Sequence, residues 1–388
     1  MRFLTAGESH GKGLIMVIEG MPADLALTED EIAVDLRRRQ GGYGRGRRQK
    51  IEQDRAEIIA GVRHGRTLGS PIALSIENRD WVNWTEVMSV GAAEGEVERV
   101  TRLRPGHADL AGTLKYDFDD VRPVLERASA RETAARVAVG AVCKRLLAEL
   151  GVSFRSHTVR IGAVEAVVPA DIDWAAVEAS PVRCADAAGA QRMVEAIDAA
   201  RDAGDTLGGV VEGRAEGVPV GLGSHVHWDR KIDGRLAQAL MSIHSVKGVE
   251  IGAGFTATRL TGSQVHDVIL PRERWTGRPW ARATNHAGGT EGGITDGQDV
   301  VVRVGLKPIA TLPRSLPSAD LATGEEIPAH YERSDVCVVP AAGVIVEAMM
   351  AIVLAQAALE KFGGDNIRET VRNFRAFEAT TGPRDLRE

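Results

Sequence analysis

Between Pro340 and Leu359 only Glu347 and Gln356 are polar. A helix that is apolar on every side has no face to give to water and must be enclosed. Glu347 inside the run and Lys361 just after it point to a protein interior, because charges in a membrane core are costly. Pro340 suits the first turn of such a helix, and Gly363-Gly364 suits its end. A helix enclosed on all sides needs layers packed against it, and the rest of the chain must provide them.

The segments on either side of it are short and strand-like. The apolar start Met1 to Leu4 and the run Leu14 to Ile18 flank a tight Gly-bounded turn. Alternating segments at 158–161, 209–215 and 300–304 sit between Gly-rich turns. Two further helices are predicted. One has Thr28 as N-cap with Glu31 at the capping-box position, an Ile32/Leu36 stripe, and a stop at Gly41-Gly42. The other runs over about 122–150, rich in Ala and Val, and ends at Gly151. Residues 170–203 read as a polar, helical and peripheral excursion. No low-complexity linker divides the 388 residues. The expectation is one domain over 1–388 of the α/β class, layered as α+β, with helices sandwiched between antiparallel sheets.

Aromatic residues make up only 4%, so Ala, Val, Ile and Leu must fill the core. A net charge of −6 argues against a basic nucleic-acid surface. Cys143, Cys184 and Cys337 are far apart and odd in number, which suits a reducing cytoplasm. The N-terminus leads into a strand rather than a signal helix, and no membrane association is expected.

The chemistry gathers in a few clusters. Residues 5–11 display Glu8, Ser9 and His10 in a row on the first turn. Residues 37–48 hold six arginines among glycines. Arginine supplies planar, bidentate donors for phosphate and carboxylate, and the glycines let the backbone close around a ligand. An RNA-binding Gly-Arg segment is the rival reading, but such segments are longer and belong to basic chains. Arg102, Arg104 and His107 surround a Pro105-Gly106 turn. Arg127 and Arg131 stand four apart, which in a continuous helix puts two like charges on one ligand-facing side. Residues 242–252 and 285–295 carry Gly-rich stretches whose backbone N–H groups suit a phosphate or a flat ring. Neither a P-loop nor a dinucleotide fingerprint is present. His225 and His227 alternate as on a strand face, but no third metal ligand stands at suitable spacing.

Gly7-Glu8-Ser9-His10-Gly11 at the head of a chain resembles the opening motif of the chorismate synthase family. The segments 42–48, 104–112, 126–135, 244–252, 285–297, 307–311 and 333–335 follow in that family's order. Residues Gln49-Lys50, His286 and Thr290 depart from its commoner pattern without removing a proposed catalytic group.

The resemblance implies a cytoplasmic, homotetrameric carbon–oxygen lyase at the last step of the shikimate pathway. It would convert 5-enolpyruvylshikimate 3-phosphate into chorismate and phosphate by 1,4-anti elimination, with reduced FMN. It implies His10 beside the reduced flavin, His107 as proton donor near the leaving phosphate, and Asp335 managing the flavin N5 proton. Flavin contacts fall on Arg127, Ala128, Ser129, His244, Ser245, Gly292, Lys307, Pro308, Ile309, Ala310, Thr311 and Arg333. The anionic substrate would meet an arginine cage of Arg39, Arg45, Arg48, Arg104, Arg131 and Arg333. The positions of Arg39 and Arg45 are also linked to NADP in the family. Whether NADPH reduces the flavin here stays open, and with no added reductase segment a separate flavin reductase is the expectation. A flavin-dependent oxidoreductase is the rival enzyme reading, distinguished by net oxidation or reduction of its substrate.

Overall fold

The computed structural model describes residues 1–46, 53–92, 95, 97–275, 279–332 and 334–384. The apolar start forms β1 (Arg2–Ala6), which pairs antiparallel with β2 (Gly13–Glu19) so that Leu4 faces Val17. Helix α1 (Glu29–Gln40) begins at Thr28, whose backbone N–H donates to the Glu31 carboxylate at 2.8 Å in a completed capping box. It stops at Gly41. Strands β3 (Glu57–Ala60) and β4 (Ile72–Glu77) complete a sheet of order β1-β2-β4-β3. Along β2, Leu14, Met16 and Ile18 point into the core while Ile15 and Val17 point away from it.

A single helix over 122–150 does not form. After α2 (Asp109–Tyr116) comes α3 (Arg122–Arg127), then a 3₁₀ turn at Ala130–Glu132, then α4 (Thr133–Ala148). The break lies at Ser129, which is extended (φ −67°, ψ 141°) and accepts the Arg131 N–H on its own hydroxyl at 3.3 Å. That local hydrogen bond replaces a helical one. Arg127 and Arg131 therefore do not share a helix face.

The second half builds β5 (Ser153–Ile161), β6 (Val164–Glu165), α5 (Trp174–Ala179), α6 (Ala187–Asp202), β7 (Gly209–Glu216), α7 (Ile232–Met241), β8 (Val246–Ile251) and β9 (Val300–Leu306). The sheet runs β8-β9-β7-β5-β6, antiparallel throughout. Residues 170–203 are helical as expected. They are not peripheral, since Met193 and Ile197 of α6 enter the main core.

The long apolar helix α8 (Val339–Phe362) lies in the middle, followed by α9 (Ile367–Glu378). It packs against α4, α1 and α7, and against β5 and β7 of the five-stranded sheet, while α4 packs on β2 of the other. It is long and apolar enough to cross a membrane, and it is enclosed by these layers. One hydrophobic cluster runs through both sheets and the helices between them. The α4–α8 contact is very close: a Cβ on Gly140 would lie 2.4 Å from the Cβ of Ala348. Glu347, fully buried in α8, receives Arg38 at 2.7 Å, Lys144 at 2.7 Å and the Ser156 hydroxyl at 2.6 Å. Burial opposes its ionisation, but Lys144 and Arg38 hold its carboxyl well below the usual range.

Candidate active site

The first turn brings His10 onto a buried carboxylate. Glu126, near the end of α3, accepts His10 Nδ1–H at 2.9 and 3.1 Å and the His10 backbone N–H at 2.7 Å. Arg122 reaches the same carboxylate at 3.2 Å. Burial works against ionisation of Glu126, yet His10 and Arg122 keep its carboxyl below the ordinary range. The Trp84 ring stacks on the imidazole at 4.0 Å, and Arg122 lies over its indole. Asn78 donates to the carbonyls of Glu8 and Gly11 and accepts from Arg131 Nε at 2.9 Å, tying this turn to the arginines.

His107 repeats the arrangement. Its Nδ1 lies 2.5 Å from Asp109 Oδ1 at the start of α2, and Arg104 donates to both Asp109 oxygens at 2.8 and 3.0 Å. Asp109 is buried, which opposes its ionisation, but His107 and Arg104 hold it well below the usual carboxylate range. Arg104 also reaches the Thr311 hydroxyl at 3.4 Å, placing the 307–311 segment against this cluster. A Cβ on Gly106 would lie 3.7 Å from Lys307 Nζ. Glu332 joins the two histidine clusters: it pairs with Arg122 at 3.1 Å and feels the charge of Arg104.

The arginines of the proposed cage carry their own carboxylates. Arg131 Nη1 meets Asp54 at 2.5 Å, and Arg39 Nη1 lies 3.5 Å from the other oxygen of Asp54. Arg39 also donates to Thr133 Oγ1 and the Ala130 carbonyl. Burial, together with Arg45 and Arg131, lowers its guanidinium to about 9. Asp335 accepts the Gly46 N–H at 2.5 Å and pairs with Arg45 at 3.4 Å. The end of α1, the 41–46 loop and the segment before α8 thus set Arg39, Arg45 and Asp335 in one electrostatic neighbourhood. Arg48 and Arg333 lie outside the described residues.

The expected flavin contacts line two cavities, Arg127 and His244 the first, Lys307 and Pro308 the second. His244, with Arg127, Glu132, Arg136 and Thr5, lines a cavity of about 430 Å³. Burial, with Arg136, His107 and Arg39, pushes its imidazole down to about 4 against the pull of Glu132. Its buried Nδ1 has no hydrogen-bond partner among the described residues. Ser129 Oγ donates to Ser9 Oγ at 3.1 Å, next to Ala128. Ser245, at φ +66°, accepts Lys307 N–H at 2.8 Å. Pro308, Ile309 and Ala310 continue to Thr311, with the Ile309 carbonyl fixed by the Thr206 hydroxyl at 2.9 Å. Arg127 is exposed and donates to the carbonyls of Gly7 and Thr5. A neutral imidazole with an unused nitrogen, a cavity and nearby cations suit a ring that carries polar edges and a phosphate.

Gly292 does not join them. It turns the hairpin between Thr290–Glu291 and Ile294–Thr295, and the next residue, Gly293, accepts the Ile232 N–H at the start of α7 at 2.9 Å. The six residues of β8 separate His244 from the Gly252–His286 contact that anchors this loop, a span of about 20 Å. His225 and His227 lie in a loop rather than a strand, and His227 pairs with Asp229.

Glu126, Asp109, Asp54, Trp84 and Glu332 were not singled out by sequence reasoning. Asp109, two residues after His107, and Glu126, just before Arg127, stood beside motifs that were singled out. Asp54 meets Arg39 and Arg131 only through the fold.

Comparison with known proteins gives one answer. The family described as chorismate synthase matches residues 1–359. The chorismate synthase of Symbiobacterium thermophilum is 57% identical over 388 residues, covering 97% of this chain and 98% of that protein. That of Moorella thermoacetica is 59% identical over 369 residues, covering 94% and 95%. A crystal structure of chorismate synthase superposes with a TM-score of 0.77 at 46% identity, covering 97% of each chain.

Proposed function

The chain belongs to the chorismate synthase family, and we propose that it runs the family's reaction with the groups gathered around His10, His107 and Asp335. It is a lyase of aromatic amino acid biosynthesis, eliminating phosphate from 5-enolpyruvylshikimate 3-phosphate to give chorismate. The observation that carries the assignment to these residues is the convergence of two histidine–carboxylate pairs and at least four arginines on one site.

The substrate brings two carboxylates and a phosphate. Arg39, Arg45, Arg104 and Arg131 supply guanidinium groups suited to these anions, and the internal carboxylates Asp54, Asp109 and Asp335 hold them in place. His107 protonates the departing phosphate, while the arginines hold its charge and the ring carboxylates. His10 would offer a proton or hydrogen bond on the cofactor side of the site, and Asp335 would hold or accept a proton there.

The family is flavin-dependent, and reduced FMN, when bound, supplies electron density to the allylic system and recovers it, so the reaction stays redox-neutral. Arg127, Ala128, Ser129, His244, Ser245 and residues 307–311 would hold it. Reduction by a separate flavin reductase fits better than direct use of NADPH. Three buried free thiols fit a cytoplasmic setting.

A homotetramer is part of the proposal. The outward face of the four-stranded sheet leaves Leu4 74% and Ile15 53% exposed beside Val17. Gly292, remote from His244, would complete the flavin site of another copy. The deciding experiment is anaerobic phosphate release with oxidised and with reduced FMN, followed together with flavin absorbance. Many turnovers per reduced flavin are expected. One flavin oxidised per product would instead mark an oxidoreductase.

A further inference from the structure

We propose that Glu126 and Asp109 are positioning residues that fix which ring nitrogen of His10 and His107 faces the reacting groups. The inference rests on the reading of these histidines as proton-transfer groups. An ionised carboxylate only accepts hydrogen bonds. Each of these two is ionised, enclosed, and in contact with the Nδ1 of one histidine, at 2.9 Å for His10 and 2.5 Å for His107. Nδ1 must then carry hydrogen in both rings, and proton exchange with ligands passes to Nε2.

Neither carboxylate is free to swing. Glu126, 1% exposed, also takes the His10 backbone N–H at 2.7 Å and Arg122 at 3.2 Å. Asp109, 0% exposed, also takes the Arg104 backbone N–H at 3.1 Å and its Nε at 2.8 Å. Arg104 Nη2 comes within 3.1 Å of His107 Nδ1. Two donors cannot bond each other, so Asp109 Oδ1 is the acceptor both of them use. The ring planes are therefore set by groups anchored on α2 and α3, with Trp84 stacked on one face of His10. Glu332, between Arg122 and Arg104, makes the two pairs parts of one lattice.

The competing account is that each carboxylate merely neutralises its arginine. The two accounts separate in double-variant cycles on the full-length enzyme with reduced FMN. E126Q keeps the size of the side chain and is expected to lower kcat roughly ten- to a hundred-fold, by analogy with metal-bound histidines that lose their outer partner. KM should stay within about two-fold, because the arginines that bind substrate are untouched. In an H10A background the same change should cost less than about two-fold further. D109N in wild-type and H107A backgrounds runs the second cycle and carries the test alone if E126Q does not fold. An equal loss from the carboxamide variant with and without its histidine would overturn the proposal. Failure of the wild-type enzyme to release phosphate would instead strike the parent reading, before any variant is compared.

Discussion

At the scale of single residues, the site divides between groups the sequence displays and groups that only folding brings. His10 and His107 sit in Gly-bounded turns, and their roles are testable directly. His107→Ala should lower turnover by about 10²–10⁴-fold, with a smaller effect on substrate binding, as loss of a general acid does. His10→Ala should lose turnover similarly and also change the absorbance of bound reduced flavin. Wild-type turnover in both would remove the proton-transfer roles. Their carboxylate partners were not singled out: a Glu beside an Arg-rich turn reads as a solvated pair until α3 and the first hairpin meet. Asp54 offered no signal at all, because its arginines come from α1 and the Ala130–Glu132 turn. His244 shows the energetic consequence of such burial. Its imidazole titrates near 4 in the fold, against about 6.5 in an unfolded chain. Below pH 6.5 the unfolded state takes up a proton that the folded state refuses, so stability falls between pH 6.5 and 4, by up to about 3 kcal/mol. His244→Asn should remove that slope. Denaturant midpoints at pH 7 and pH 5 that shift equally in both proteins would count against it.

At the scale of elements, periodicity and caps were reliable where the chain obeys local rules. The Thr28 capping box, the ends of the apolar helix and the first hairpin all stand where their residues indicate. The prediction failed at Ser129. Ala and Val on both sides favour a helix, but a serine hydroxyl can cap the next turn, and the Ser9 contact rewards it for doing so. A like-charged Arg127 and Arg131 looked like one surface and became two, one outside on Gly7 and one inside on Asp54. The α4–α8 seam depends on Gly140. Its replacement by Ala puts a methyl 2.6 Å from the Ala348 Cα as well as on its side chain, and backbone must move. A loss of roughly 1–3 kcal/mol is expected, measured by denaturant unfolding. Glu347→Ala should cost more, about 3–5 kcal/mol, because Arg38 and Lys144 would lose their buried partner. A midpoint unchanged by the second substitution would show that water already reaches these cations.

At the scale of the whole molecule, the enclosed apolar helix dictated the layering, and both sheets lie where that requirement puts them. What the chain alone does not satisfy is the outer face of the four-stranded sheet. β2 alternates Leu14, Met16 and Ile18 inward with Ile15 and Val17 outward, so both of its faces are apolar. A sheet covered on one side by α4 and open to water on the other would place polar residues at 15 and 17. Leu4 opposite Val17 extends the same patch across β1. Symmetric pairing of this face with another copy removes the mismatch and fits a homotetramer. The double variant Ile15→Glu and Val17→Glu should then sediment as a smaller species, since like charges on an isologous face meet their own copies. Its far-ultraviolet circular dichroism should stay native, because neither side chain touches the core. If Gly292 completes the flavin site of a neighbour, the smaller species should also bind reduced FMN more weakly, although Arg127, His244 and residues 307–311 are intact. A variant that sediments like the wild type would place the interface elsewhere. A dissociated variant with full flavin affinity would return Gly292 to a purely structural turn.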